Sequence, residues 1–468
     1  MNSPAATAVA SEKLAVQVAR HLEREIIARR WPVGEVLGSE TDLRTRYGVS
    51  RSTLREAVRL LEHSRLAQMR QGPGGGLVVR TPDPRPAVRG LVIYLEYVGA
   101  TVAQVMGARS IFERLVITAV SDSLTESGIR ELRSTASAEA DRRPEHFHVT
   151  LGRLSGNPAL ELYVDILTRT TVAYSARARG ASERDIEDCR ETASRHVQIA
   201  DAVVAGDESR AQALMTTHIE GIADRLTRLV DPLPGGHAVT RPMDPDPDER
   251  PREKKLAESV AGRIHDDIIA EGRRVGEVLG SEADFVARYG VSRSIFRESV
   301  RILEHYNVAH MRRGPRGGLV VLAPDPASSL HTVALYMGYR GVTADHLRVV
   351  REGVELGCLT AAMCSTRIRR EDFAGNNPIG NRRQCRCSTC LRDRIGRLGN
   401  DPVLILLRSL LTALWEEHGD DPGPGARCVT PDPATQQQLD AILDAVIDGD
   451  EDLAVFRMRK HLRDRTGW

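Results

Sequence analysis

Aromatic residues are scarce in this chain, at 4% of 468 positions, so its cores must be built from aliphatic side chains, which favours packed helices. Long apolar runs are missing too. Nowhere do about 18 consecutive apolar residues occur, and no segment reads as a membrane-spanning helix. The opening MNSPAATAVASEK lacks a basic stretch followed by an apolar core; it is not read as a secretory leader, and a cytoplasmic protein is expected. Neither sign of charge dominates, since 65 Lys and Arg meet 64 Asp and Glu. That balance does not exclude a nucleic-acid ligand, because acidic stretches offset a basic one and charge must be read locally. The seven cysteines, six of them after residue 350, are odd in number and do not form a disulfide framework.

What the chain does contain is one stretch written twice. Gly48-Val49-Ser50-Arg51-Ser52-Thr53-Leu54-Arg55-Glu56-Ala57-Val58-Arg59 returns as Gly290-Val291-Ser292-Arg293-Ser294-Ile295-Phe296-Arg297-Glu298-Ser299-Val300-Arg301. In each copy the glycine closes one helix and the serine caps the next by accepting an orphan backbone N–H. Leu54, Val58 and Leu61 recur at helical spacing and mark the core side. Arg51, Ser52, Thr53 and Arg55 crowd the first turns, where a helix-turn-helix protein sets the side chains that touch bases and phosphates. The surroundings repeat as well: Gly34-Glu35-Val36-Leu37-Gly38-Ser39-Glu40 reappears as Gly276-Glu277-Val278-Leu279-Gly280-Ser281-Glu282.

A chain of this length divides into two to four domains. Residues 1–10 read as a mobile arm. Within 11–84 the pattern is helix from Leu14, a capped second helix from Ser39, the turn at Gly48, a third helix to about His63, then strands near 66–69 and 77–79. That order is a winged helix-turn-helix with a two-stranded wing. Residues 85–230 read as an all-α bundle, with helices near 88–98, 101–120, 126–137, 145–154, 158–178, 182–205 and 207–230. A proline-rich and charged linker fills 231–253. A second winged head, 254–326, and a second helical domain, 327–468, follow. The fold class expected is mainly α, with two heads and two bundles.

The G-x-x-L-x-S-E, G-V-S-R-x-x-x-R-E and G-P-x-G-G-x-V-V elements resemble the winged heads of GntR-type bacterial transcription regulators. The helical domains resemble the effector domain of the FadR branch, the FCD type. The resemblance implies operator binding at pseudo-palindromes, repression, nucleoid association, and control by a small metabolite such as an organic acid. It places DNA contacts at Arg51, Arg55 and Gly72, and at Arg293, Arg297 and Gly314, with Ser52, Thr53, Gln71, Ser294 and Arg313 beside them. Where family members often carry arginine after the S-E pair, this chain has Thr41 and Ala283.

The same resemblance puts His148, His196 and His218 at the positions of three metal-binding histidines. Three imidazoles suit Zn²⁺ or Ni²⁺ and leave positions for water or an effector carboxylate. The family's aspartate falls on Pro144, with Asp141 or Glu145 as substitutes only after a helix shift. The second bundle has arginine at 392 and Leu439 in the first two histidine places and keeps only His461, so no metal is expected there. Arg109 and Glu113, echoed by Arg351 and Glu355, form an i,i+4 ion pair, or else Arg109 meets an acidic effector. Cys385, Cys387 and Cys390 lack a fourth ligand at standard spacing. A metal- or thiol-responsive regulator using the histidines or these cysteines is one alternative. The other is an enzyme holding pyridoxal phosphate, disfavoured because Lys13, Lys254, Lys255 and Lys460 sit at head edges, the linker or the C-terminus. Assembly is expected as an intramolecular pseudo-dimer, or as a homodimer with four heads.

Overall fold

The computed structural model describes the chain except residues 1–3, 64, 73, 138–144, 179–183, 231–251, 313, 315–316, 366–367, 374–387, 420–431 and 465–468. The expected linker and Arg313 therefore lie outside the described residues, as do Asp141, Pro144, Cys385 and Cys387. The described residues divide into two compact units, 1–89 with 327–341, and 90–326 with 342–468.

In the first unit, α1 (Pro4–Ala28), α2 (Glu40–Tyr47), α3 (Arg51–His63), β1 (Ala67–Arg70) and β2 (Gly76–Val79) form a winged head. Residues 4–10, expected as an arm, instead continue α1; proline at the first turn and an alanine-rich run are both compatible with helix. Ser39 caps α2 in a reciprocal box with Asp42, and Gly48 ends it at φ 62°. Leu22, Ile26, Leu43, Leu54, Leu61 and Leu77 form the core. The wing closes on the chain before α2: Leu37 N–H donates to Leu77 O and Leu77 N–H to Gly38 O. That approach demands Gly76, at φ 151°, because a Cβ there would fall 2.5 Å from Gly38 O. The unit is completed by α14 (Ala327–Tyr339), which sequence reading assigned to the second bundle. Its Leu335 joins the head core, Tyr339 meets Trp31 edge-on at 5.6 Å, and His331 lies 3.3 Å from Glu23.

The second unit holds α4 (Arg85–Tyr97) from Gly90 onward and the first bundle: α5 (Val102–Ser123), α6 (Glu126–Ala136), α7 (Glu145–Leu154), α8 (Pro158–Ala178), α9 (Arg184–Val204) and α10 (Glu208–Val230). The second head follows as α11 (Arg252–Ala270), β3 (Val278–Gly280), α12 (Glu282–Tyr289), α13 (Arg293–His305), β4 (Ala309–Arg312) and β5 (Gly318–Val321). Its sheet has three strands in the order β3-β5-β4, one more than expected. Phe285 and Phe296 stack in its core at the places Leu43 and Leu54 hold in the first head. Ile93 of α4 belongs to this second core, and Glu96 lies 3.8 Å from His265. Each helix that follows a head thus contributes to the core of the other head.

The last elements are α15 (Ala344–Ser365), α16 (Ser388–Gly399), α17 (Pro402–His418), α18 (Pro433–Asp448) and α19 (Glu451–Asp464). In the second unit α5 and α8 pack on α15, and α5 on α17. Across this seam Tyr163 donates its hydroxyl hydrogen to Leu407 O at 2.8 Å, and Asn157 Nδ2 donates to His346 O at 3.1 Å.

Candidate nucleic-acid interface and metal centre

The start of α3 is held by Ser50, whose Oγ accepts from Thr53 N–H at 3.1 Å. Helical spacing then sorts the residues. Leu54, Ala57, Val58 and Leu61 turn inward, while Arg51, Ser52, Arg55 and Arg59 are exposed. Thr53 does not face out with them. It is buried, 2.8 Å from Ser50 Oγ, and this removes it from the expected DNA-facing set. The exposed arginines are held by a carboxylate that sequence reading missed: Glu40 Oε1 lies 2.6 Å from Arg51 Nε and 3.9 Å from Arg55 Nε. The Arg51 hydrogen bond holds the Glu40 carboxyl below its ordinary range. The signal was present in the S-E pair eleven residues before the first arginine. At the wing tip, exposed Gln71 precedes Gly72 at φ 104°.

The second head repeats the device. Ser292 caps α13, Arg293, Ser294 and Arg297 are exposed, and Arg297 Nε lies 3.2 Å from Glu282 Oε1. Gly314 takes φ 112° at its wing tip. In both heads a carboxylate late in the recognition helix accepts from the first wing strand, Glu62 from Met69 N–H and Glu304 from Met311 N–H. Wing and helix are thereby fixed to each other.

In the first bundle α7, α9 and α10 bring His148, His196 and His218 together, each buried. The Nε2 atoms of His196 and His218 are 3.1 Å apart, and those of His218 and His148 are 3.3 Å apart. A tetrahedral ion with metal–nitrogen bonds of about 2.0–2.1 Å separates its ligands by about 3.3–3.4 Å, so the spacing fits. Burial lowers all three imidazole pKa values, that of His196 to about 2, and Arg109 adds to the shift. Neutral rings with converging nitrogens are what a cation requires. Phe147 stacks on His196 at 4.2 Å and fixes that ring.

A carboxylate on another helix, not at the place the sequence pointed to near residue 144, stands behind the first histidine. Glu113 Oε1 sits 2.8 Å from His148 Nδ1, on the far side of that ring from Nε2, and accepts from Arg109 Nε at 3.1 Å. Burial raises the Glu113 carboxyl while Arg109 pulls it down. The two atoms are close without hydrogen-bond alignment, so the carboxylate acts on the ring as an electrostatic neighbour. Arg109 itself is 3% exposed, so its pair with Glu113 belongs to this centre and not to a solvated face.

Among its described residues the second bundle brings no such set together. Arg392 and Leu439 are buried, and His461 Nδ1 lies 2.9 Å from Gln438 Oε1. Arg392 Nη1 is 3.6 Å from Glu355 Oε1, and Arg351 donates to Leu462 O while lying over Trp415. Cys358 is buried, and burial pushes its thiol up to about 12. Cys390 contributes backbone to α16, and its side chain lies outside the described set.

Residues 14–77 match the gntR family of bacterial regulatory proteins, and residues 104–221 match the FCD domain. The chain carries a GntR head followed by an FCD domain. The transcriptional repressor NanR of Cronobacter sakazakii is 24% identical over 232 residues, 46% of this chain and 85% of that protein. The transcriptional regulator LutR of Bacillus subtilis is 26% identical over 213 residues, 42% of this chain and 92% of its own. A solved chain described as Streptococcus agalactiae GntR aligns over 45% of this chain and 99% of its own, with 19% identity and a TM-score of 0.31. These relatives are named as regulators, not as enzymes. Among the described residues no helix is long and apolar enough to cross a membrane.

Proposed function

We propose that this transcription regulator grips operator DNA with both of its heads, as a fused pair within one polypeptide, and that a small carboxylate metabolite tunes the grip. The observation that carries the reading is the capped, arginine-lined face of α3 beside a glycine-tipped wing, repeated at α13. Arg51 and Arg55, held by Glu40 without DNA, exchange that carboxylate for phosphates and base edges. Each phosphate contact releases a counterion and adds about one to the slope of log affinity against log salt. Gln71 and Gly72, with Arg313 and Gly314 in the other wing, approach the sugar-phosphate wall.

In the first bundle His148, His196 and His218 would hold one divalent ion such as Zn²⁺ or Ni²⁺. The ion supplies a positive centre that anchors an anionic oxygen. Glu113 stands behind the His148 ring as an electrostatic neighbour, and Arg109 offers a second cation to the same carboxylate. Effector binding changes operator affinity by the difference in its affinity for the two arrangements of the heads. The second helical domain is then a degenerate copy that serves as structural partner. Genome-wide footprinting tests the proposal, with Arg51→Ala plus Arg293→Ala as control. Discrete promoter sites that vanish in the control, with helicity unchanged, are expected. Footprints no different from scrambled competitor would remove the reading.

A further inference from the structure

We infer that the first bundle is shaped to pair with the second bundle of its own chain, and not with another copy of itself, by bumps on α5 that fill glycine holes on α15. The inference rests on the reading of the chain as a fused pair. Arg109 and Glu113 on α5 answer Arg351 and Glu355 on α15, so Ile111 and Leu115 answer Gly353 and Gly357. The two helices meet across the seam in the second unit. A Cβ built on Gly353 would fall 2.7 Å from Leu115 Cδ1 and 3.2 Å from Phe112 Cε1. One built on Gly357 would fall 2.8 Å from Ile111 Cδ1.

These contacts are mates under a two-fold relation: 115 meets 353, and 111 meets 357. In a symmetric pair each residue meets the same partner on the other copy. Two first bundles joined in this geometry would set a whole isoleucine against Leu115 at a place where even a Cβ already requires the Leu115 side chain to shift. Two second bundles would set glycine opposite glycine and leave a void. Only the unlike pair fills the seam.

A third position on α8 and α17 agrees. The offset that aligns Pro158 with Pro402 aligns Tyr163 with Leu407. Tyr163 is fully buried, its ring lies 5.0 Å from Phe112, and its hydroxyl reaches the Leu407 carbonyl. A like pair of first bundles would bring two phenols to a space that one fills. Phe112 in turn answers Val354. At every one of these positions the first half carries the larger side chain. Matched halves in one polypeptide face a standing competitor, the same half of a neighbouring molecule, and steric exclusion of the like pair is how specificity is obtained.

The test uses the full chain with a protease site inserted among residues 240–245 and cut after folding. Native mass spectrometry should find the halves as one unlike pair. Gly353→Ile with Gly357→Leu should weaken the pair by at least about 100-fold. Adding Ile111→Gly and Leu115→Gly to that variant should restore pairing to within about tenfold, which separates lost complementarity from a failure to fold. Like pairs or separated halves from the unaltered chain would overturn the inference. So would a hole-filled variant that pairs undiminished, or an exchange variant that does not recover. Operator binding is read on the same samples. If the unlike pair holds and no promoter is bound, the regulator reading fails and the interface stands.

Discussion

The two helical bundles answer the same electrostatic problem in different ways. Each buries a glutamate on its first long helix, Glu113 at 0% exposure and Glu355 at 1%. In the first, Arg109 pairs with Glu113 on the same helix, and the carboxylate backs a histidine whose free nitrogen points to two others. In the second, the arginine on the helix donates to the Leu462 carbonyl and lies over the Trp415 ring. Arg392, standing at the first histidine's place, brings its guanidinium to Glu355, with Arg408 Nε 4.0 Å away. A buried carboxylate needs a partner charge. One bundle gathers three neutral imidazoles near its carboxylate; the other brings a guanidinium to the corresponding place. The difference teaches that one helical frame can hold its buried carboxylate with either a same-helix arginine beside an imidazole cluster or an arginine from another helix.

The largest expected effect that sharpens this contrast is in metal content. Elemental analysis of chelator-free protein should give one divalent ion per chain, and His218→Ala should lower the affinity by more than about 100-fold. Two ions per chain, or an ion that survives the substitution, would break the contrast. Next, Arg392→Met removes the nearest guanidinium recorded at Glu355 and should destabilise the second bundle by about 3 kcal/mol in urea unfolding. Chelator should leave that value unchanged. An equal loss from chelation would place an ion in the second bundle.

A third contrast is read from the pH dependence of chelated protein. Folding keeps His148, His196 and His218 neutral, with His196 near 2, while in the unfolded chain each takes a proton below about pH 6.5. The unfolded state then binds more protons. The stabilisation is fully present above about 6.5 and is lost as pH falls below it, by up to about 1.4 kcal/mol per pH unit per histidine. Replacing the three histidines with glutamine should flatten the curve. A curve equally steep in that variant would assign the proton uptake elsewhere.

Most of the head was legible in the sequence because its determinants are local. Capping serines, an αL glycine and an apolar period fix α2, α3 and the wing within a few residues of one another. The three histidines were legible too, but only through resemblance, since no local spacing links residues 148, 196 and 218. Glu113 was read as half of an ordinary i,i+4 pair, and its place behind His148 depends on α5 lying beside α7. Thr53 was misplaced by one helical step, because the serine cap draws its hydroxyl back toward the turn. The exchange of α4 and α14 between heads could not be read at all. Both helices bury apolar residues such as Leu91, Ile93, Leu335 and Met337, and such residues do not name their partner. Which core each joins is decided by tertiary packing across hundreds of residues.

The central claim is that one polypeptide presents two reading heads to one duplex. Its most direct test is the mass of the complex formed with a promoter fragment recovered by footprinting. The account predicts one 51.5 kDa chain per duplex, holding across protein concentration. Two chains on each duplex, each engaged through a single head, would contradict it.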